Sequence, residues 1–419
     1  GNLIVLYDDN HISIEGNTDV AFTEDVLKRY EAYGWQTLHT DLLPNGSIDI
    51  DAVNAAILEG QADINRPTII RMRSIIGWPA PKLQNTGKAH GADLGAEEVG
   101  AIKEILGFDP NKSFQVDDQV LAHTREVVGR GKEAHEKWTL QYNAWRDSHA
   151  EKAALLDRIL AEKLPDDFDA AIPVFETGTS VATRVASGKV INAIAPVLPE
   201  FWGGSADLAG SNNTSIDDGM SFEPEGSPVP NSSPYGRIIH FGVREHGMGA
   251  ILNGIAIGGI SKVYGGTFFT FADYMRGAVR VGSLMDIPVT YVWTHDSIGL
   301  GEDGPTHQPV EHLTAYRAIP NLHIVRPADA NETAIAWKTI IENRKPTGLV
   351  LSRQNLPTYD ANPDVAKGGY IRVDASNGEP KVLLLATGSE VQLAVGAAEQ
   401  LESEGIPARV VSLPCFEWF

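Results

Sequence analysis

Short apolar runs that end in polar loops and give way to helical stretches recur along this sequence, and that alternation admits few folds. The runs at 3–7, 67–72, 289–293, 322–326, 347–351, 382–385 and 409–413 read as strands. A helical stretch, Ala334 to Ile341, joins two of them, and Asp329 and Glu332 ahead of it sit three apart, as in a capping arrangement. Another helix starts at Ser389 and is closed by Gly405-Ile406-Pro407. Strand–helix–strand alternation of this kind argues for parallel sheets. In open α/β sheets, ligands gather where strands run out into loops, so those loops hold the candidate chemistry.

Elsewhere the pattern is helical. Residues 23–33 read as a helix with Thr23 as its N-cap, and residues 131–163 as a long helix. In the latter, Trp138, Tyr142 and Trp145 fall at i, i+4 and i+7 on one face. This stretch, followed by Leu164-Pro165, reads as a linker between domains. A chain of 419 residues exceeds what one hydrophobic core serves, so two or three domains are expected. Lys and Arg number 34 against 55 Asp and Glu, a formal charge of −21, which argues against nucleic acid or an anionic membrane as partner. Any anionic ligand must then be held by a few placed cations. Cys415 is the one cysteine, which rules out an intrachain disulfide and fits a reducing cytoplasm. No apolar run is long enough to span a bilayer. The sequence opens directly on the apolar run at 3–7 and closes on Phe416-Glu417-Trp418-Phe419, so both ends read as cut and the chain as a fragment.

Four segments place reactive side chains beside glycine or at helix starts. In Asp8-Asp9-Asn10-His11-Ile12, an Asn side chain and a carbonyl two residues on offer oxygen to a hard divalent cation; an Asx turn after a strand is the commoner outcome. In Arg244-Glu245-His246-Gly247, a small-residue apolar helix follows directly. A carboxylate buried there either shares a proton, as a general acid does, or is paired with Arg244 in a structural role. Phe268, Phe271 and Tyr274, spaced by three, read as one helical face, either core or the wall for a flat heteroaromatic ring. Thr294 through Pro309 holds His295 and His307, the acids Asp296, Glu302 and Asp303, and three glycines. It has neither an i, i+4 His pair nor a Cys, so a polar substrate pocket fits it better than zinc. Arg184 and Arg353 complete the set; guanidinium groups bind phosphate in bidentate fashion, although a surface ion pair is the commoner role.

Taken together, Tyr7-Asp8-Asp9-Asn10, Gly203-Gly204-Ser205-Ala206-Asp207-Leu208, Gly242-Val243-Arg244-Glu245-His246, Tyr264-Gly265-Gly266-Thr267-Phe268, Thr294 to Pro309 and Ser352-Arg353-Gln354-Asn355-Leu356-Pro357 closely resemble the transketolase family, in order and across the whole chain. The resemblance implies a thiamine-diphosphate-binding fold of parallel-sheet α/β domains with a third, C-terminal α/β domain only partly present. Residues 1–150 would be the rear of the diphosphate-binding domain plus linker, 151–363 the pyrimidine-binding domain, and 364–419 the start of the C-terminal domain. It implies thiamine diphosphate with Mg²⁺ or Ca²⁺, the metal being held by Asn10 and the carbonyl of Ile12. The Gly-Asp-Gly part of the metal motif falls upstream of Gly1. Glu245 would bond the pyrimidine N1′, Phe268, Phe271 and Tyr274 would wall that ring, and Asp207 would help set cofactor geometry. His90 is placed near the diphosphate and the reacting end of the sugar, and His307 at the donor's C1 hydroxyl and carbonyl. Asp303 would read a sugar hydroxyl. Arg184, Ser211, His295 and Arg353 would hold the terminal phosphate.

The activity so implied is two-carbon ketol transfer between sugar phosphates by a cytoplasmic homodimer, its active site formed between the first domain of one subunit and the second of its partner. Related syntheses with the same cofactor, making dihydroxyacetone or deoxyxylulose phosphate, are the near alternatives. A non-catalytic sugar-phosphate-binding paralogue, or half of a split enzyme, is the alternative of another class.

Overall fold

The computed structural model describes residues 2–419 and divides into two compact units after Leu140. In the first unit, Ile4–Asp9, Thr68–Arg73 and Gln36–Thr40 form a parallel sheet in that order, with Ile4 opposite Thr68 and Gln36 opposite Thr68 on its other side. Helices Val26–Ala32 and Ile50–Ala62 connect them. Each starts after an Asp whose carboxylate accepts from a backbone N–H three residues on, Asp25 from Lys28 and Asp49 from Ala52. The first helix therefore begins three residues after the expected Thr23, because a charged Asp caps the positive helix end better than a threonine. The long helix also differs from expectation. It runs Asp118–Ser148 and, after a break at His149, resumes as Ala150–Leu160. Ser148 Oγ bonds the carbonyls of Ala144 and Trp145, a local competition that ends the first helix.

In the second unit an eight-stranded, all-parallel sheet runs in the order His323–Val325, Thr347–Leu351, Val289–Thr294, Lys262–Phe268, Phe201–Ser205, Ile238–His240, Ser221–Phe222, Ser232–Ser233. Both faces are covered. Leu349 and Leu351 pack with Ile191, Ile194 and Trp337 on one side. Val350, Tyr291 and Trp293 pack with Met248, Leu252 and Tyr316 on the other. Burial on both faces is why these strands read as unbroken apolar runs rather than alternating ones. Helix Ala330–Asn343 begins as a capping box: Asp329 accepts from Glu332 N at 2.7 Å, and Glu332 accepts from Ala328 N at 2.7 Å.

A smaller sheet, Tyr370–Val373, Ala408–Ser412, Val382–Ala386, is backed by helix Val391–Ser403. Its Tyr370–Val373 strand is antiparallel, unlike the all-parallel reading. It is fastened to the large sheet's helix by Glu332, which accepts from Tyr370 Oη at 2.8 Å and Ser412 Oγ at 2.6 Å. Burial and the neighbouring Asp329 push the Glu332 carboxyl up to about 7.

Candidate active site

In the first unit, the candidate residues sit where the Ile4–Asp9 strand ends. Asn10 Oδ1 accepts from Ile12 N at 2.8 Å, an Asx turn that leads into the Ile12–Ser13 and Gly16–Asn17 hairpin. The short 3₁₀ turn Gly87–Ala89, which presents the exposed His90, closes on this hairpin. A Cβ on Gly87 would lie 2.6 Å from the Ile14 carbonyl, so only glycine permits the approach. Asn10, Ile12 and the His90 turn are thus drawn into one corner.

In the second unit, the candidates collect at the carboxyl ends of the parallel strands. Phe268 is the last residue of its strand, whereas Phe271 and Tyr274 lie in the 3₁₀ helix Thr270–Met275. The stripe is therefore a strand end plus a 3₁₀ turn, not one α-helical face; with three residues per turn the spacing still aligns the rings. Phe268 and Phe271 stack at 5.6 Å, and Phe271 meets Tyr274 at 6.1 Å. Phe269 is fully buried and Phe268 nearly so, while Tyr274 is 67% exposed, so the stripe runs from the core out to an open end. His307 stands edge-on to Phe271 at 5.1 Å, and its carbonyl accepts from Thr270 Oγ1 at 2.9 Å.

His295 follows the Val289–Thr294 strand in a left-handed conformation, φ 61°, with its ring 3.7 Å from that of Phe268. Its Nδ1 is 2.9 Å from Thr294 Oγ1, which donates to Asn212 Oδ1 at 2.7 Å; Asn212 in turn donates to Ser205 Oγ at 3.1 Å. Because Thr294 gives its one proton to Asn212, it accepts from Nδ1–H and leaves Nε2 of the neutral ring as an acceptor. Asp303 lies 3.9 Å from that Nε2.

Two arginines are brought beside this ring by a reciprocal pair. Thr183 N donates to Ser352 Oγ at 3.1 Å and Ser352 N to Thr183 Oγ1 at 2.7 Å, which sets the next residues, Arg184 and Arg353, side by side. Arg184 donates to the Ser211 carbonyl, and Arg353 to Glu302 at 3.0 Å. Burial first, and then the Arg353 charge, hold the Arg184 guanidinium below its ordinary range.

The same field acts on His295: burial, followed by the Arg184 charge, pushes it down to about 4. The unfolded chain, with an ordinary histidine, then binds the extra proton between about pH 6.5 and 4, so this residue withdraws stability as pH falls through that window. Full-length protein should lose about 2–3 kcal/mol more across it than His295→Gln does. Scanning calorimetry at several pH values checks this; parallel midpoint-versus-pH curves would refute it.

Glu245 opens helix Glu245–Ile257 and is 8% exposed, yet its carboxylate takes no hydrogen bond or ion pair among the described residues. Arg244 turns the other way and donates to the Phe241 carbonyl at 3.0 Å, so the structural Arg244–Glu245 pair is not formed. The helix packs on the Thr270–Met275 turn that carries Phe271 and Tyr274. Asp207, φ 65° and exposed, follows the Phe201–Ser205 strand, and Ser211 lies just beyond it. Sequence reasoning missed the supporting residues: Ser205, Asn212, Thr183, Ser352, and the buried pair Asp296–Arg326. Asp296, Ser205 and Ser352 lay within segments already singled out but without a role, and Arg326 carried a signal of its own, since, like Arg353, it emerges from an apolar strand.

Comparison with known proteins identifies the family. Residues 1–165 match the transketolase thiamine diphosphate binding domain, 179–358 the transketolase pyrimidine binding domain, and 368–419 the transketolase-like C-terminal domain. The chain belongs to the transketolase family. Transketolase of Mycobacterium tuberculosis is 56% identical over the whole chain, which covers 61% of that protein, and transketolase of Geobacillus stearothermophilus is 49% identical with 62% covered. A transketolase from Pichia stipitis in complex with sedoheptulose-7-phosphate superposes with a TM-score of 0.93 at 44% identity, over all of this chain and 61% of that one. Transketolase from Leishmania mexicana gives 0.91 at 39%, again over all of this chain and 61% of that one. The chain thus spans about three-fifths of the length of the relatives it matches.

Proposed function

We propose that the full-length protein transfers two-carbon ketol units from a ketose phosphate to an aldose phosphate. The observation that carries this reading is the convergence, at one set of strand ends, of an unpaired buried Glu245, an open aromatic wall and the Arg184–Arg353–His295 cluster. Thiamine diphosphate, when bound, supplies the nucleophilic carbon and the electron sink that breaking a carbon–carbon bond beside a carbonyl requires. The residues fit that group: Phe268, Phe271 and Tyr274 wall its pyrimidine, Glu245 shares a proton at a pyrimidine nitrogen, and Asp207 stands near the ring. Asn10 and the Ile12 carbonyl are oxygen donors suited to Mg²⁺ or Ca²⁺, with His90 next to them. His307 orients the donor's reacting end by hydrogen bonding, and Asp303 reads a hydroxyl. Arg184 and Arg353 supply the positive charge for the terminal phosphate, with Ser211 beside them and His295 donating from Nε2 once the bound anion brings a proton to that nitrogen, and this is how a chain of net charge −21 would hold an anion.

Residues 1–150, 151–363 and 364–419 are proposed as the three domains, in a cytoplasmic homodimer. Exposed Val120 and Val127, two turns apart on one side of the long helix, support a covered face there. No helix among the described residues is long and apolar enough to cross a membrane.

The test is incubation of full-length protein with xylulose 5-phosphate and ribose 5-phosphate, with and without thiamine diphosphate and Mg²⁺. Cofactor-dependent sedoheptulose 7-phosphate is expected; a folded, cofactor-binding protein that makes none would overturn the proposal. Arg353→Ala should raise KM for the ketose phosphate about tenfold or more, the loss of one charge-assisted hydrogen bond, and spare an unphosphorylated ketose. Equal effects on both donors would remove Arg353 from the phosphate site.

A further inference from the structure

We propose that Arg326 is a positioning residue through which the 368–419 segment fixes the His295 corner and so sets affinity for the phosphate end of the sugar without touching it. This rests on the phosphate-site reading above.

Asp296 and Arg326 are each 3% exposed and follow two strands, Val289–Thr294 and His323–Val325, that flank the Thr347–Leu351 strand from which Arg353 emerges. Arg326 donates to Asp296 Oδ2 through Nε at 2.9 Å and Nη2 at 2.7 Å. Its opposite edge belongs to the small sheet. Nη1 donates to the Thr387 carbonyl at 2.9 Å and to Glu390, and Nη2 to Ser389 Oγ at 3.0 Å. The main chain is held as well: Arg326 N donates to the Pro414 carbonyl at 2.8 Å, and Gly388 N to the Arg326 carbonyl at 3.1 Å. Gly388, φ 57°, lies so close that a Cβ there would stand 2.6 Å from Arg326 Cγ and Nε. The guanidinium is thus a two-sided plug, one edge on the substrate loop and the other on the third domain.

The loop needs such a hold. His295 is a non-glycine residue in left-handed backbone, a conformation that persists only where its surroundings over-determine it. On one side it has Thr294 and the Phe268 ring; on the other, one peptide away, it has Asp296. Asp296 cannot serve as a ligand-facing acid, because its Oδ2 is taken up by Arg326 and its Oδ1 accepts from Ser297 Oγ at 3.1 Å. A lysine at 326 would keep the charge but lose the planar fork that reaches both sides.

The experiment uses full-length protein loaded with thiamine diphosphate and Mg²⁺, in the forms Arg326→Lys, Asp296→Asn and Glu390→Gln. KM for xylulose 5-phosphate and the Ki of inorganic phosphate should rise together, about tenfold for Arg326→Lys and about threefold for Glu390→Gln, as misaligned charge-assisted hydrogen bonds do. The kcat for an unphosphorylated ketose should stay within about twofold. A lower thermal midpoint with no such split, or equal shifts for both donors, would make Arg326 an ordinary interdomain staple and overturn the proposal. Should Arg326→Lys not fold, Glu390→Gln decides, since Glu390 is half-exposed and bonds Arg326 rather than the loop itself. If the parent makes no sedoheptulose 7-phosphate, the function reading fails separately. Calorimetric affinity for xylulose 5-phosphate in parent and Glu390→Gln then decides this inference by itself.

Discussion

Glu245→Gln in the cofactor-loaded, full-length protein should lower kcat about a thousandfold, within the range that a positioned proton-sharing group contributes. Its fold stability should stay within about 1 kcal/mol of the parent, because no hydrogen bond is lost and the carboxylate's interaction with the helix N-terminus is small. The structural basis is the unusual solitude of this side chain. Arg244, the adjacent cation, is spent on the Phe241 carbonyl, and nothing else among the described residues bonds the carboxylate. Glutamine keeps the volume and the packing of the first helical turn but has no acidic proton to transfer to a ring nitrogen. The measurement is steady-state ketol transfer alongside a thermal melt without cofactor. Activity within tenfold of the parent would sink the assigned role. A large loss of both activity and stability would return Glu245 to a structural part.

The sheets were legible only in part, where local pattern suffices: three of the eight strands of the large sheet were read, while Phe201–Ser205 and Lys262–Phe268, each interrupted by a Gly-Gly pair, were not. Strands buried on both faces, such as Leu349-Val350-Leu351, must be apolar at every position, and Asp329 with Glu332 marks a helix start wherever it occurs. The long helix was read short because its first turns, from Asp118, mix a few exposed apolar residues with charges and with Gly129 and Gly131, a pattern too sparse to mark a helix start. The aromatic stripe was seen but assigned the wrong backbone, since a spacing of three suits both a helix face and a 3₁₀ turn. Partnerships that depend on strand order were not legible at all. Arg326 meets Asp296 because a third strand inserts between theirs, and Thr183 meets Ser352 across 169 positions. Neither spacing has any counterpart in sequence. The family resemblance named the candidate site residues, yet not the residues that hold them in place.

The largest stability loss is expected from Trp337→Ala, about 5 kcal/mol. Trp337 is fully buried in helix Ala330–Asn343, edge-on to Phe201 at 5.9 Å and to Tyr264 at 6.2 Å. Truncating so large a core side chain costs about 3–5 kcal/mol, and the buried Ser187 hydroxyl, which accepts from Trp337 Nε1 at 2.8 Å, loses its partner for about 1 kcal/mol more. A loss of that size rivals the whole stability of an ordinary domain. Ser187 lies one helical turn beyond Arg184 in helix Thr183–Ile194. Trp337→Phe, which refills most of the volume, should recover more than half of the loss while leaving the Ser187 hydroxyl unpaired. Chemical denaturation of the three proteins checks the order; a loss below about 2 kcal/mol for Trp337→Ala would mean that the site collapses around the cavity. Glu245 and Trp337 thus separate two demands on one sheet. At the strand ends, Glu245 has no protein partner among the described residues, which is what the proposed proton-sharing role requires. Between sheet and helix, every ring has a neighbour, and removing one is felt throughout the unit.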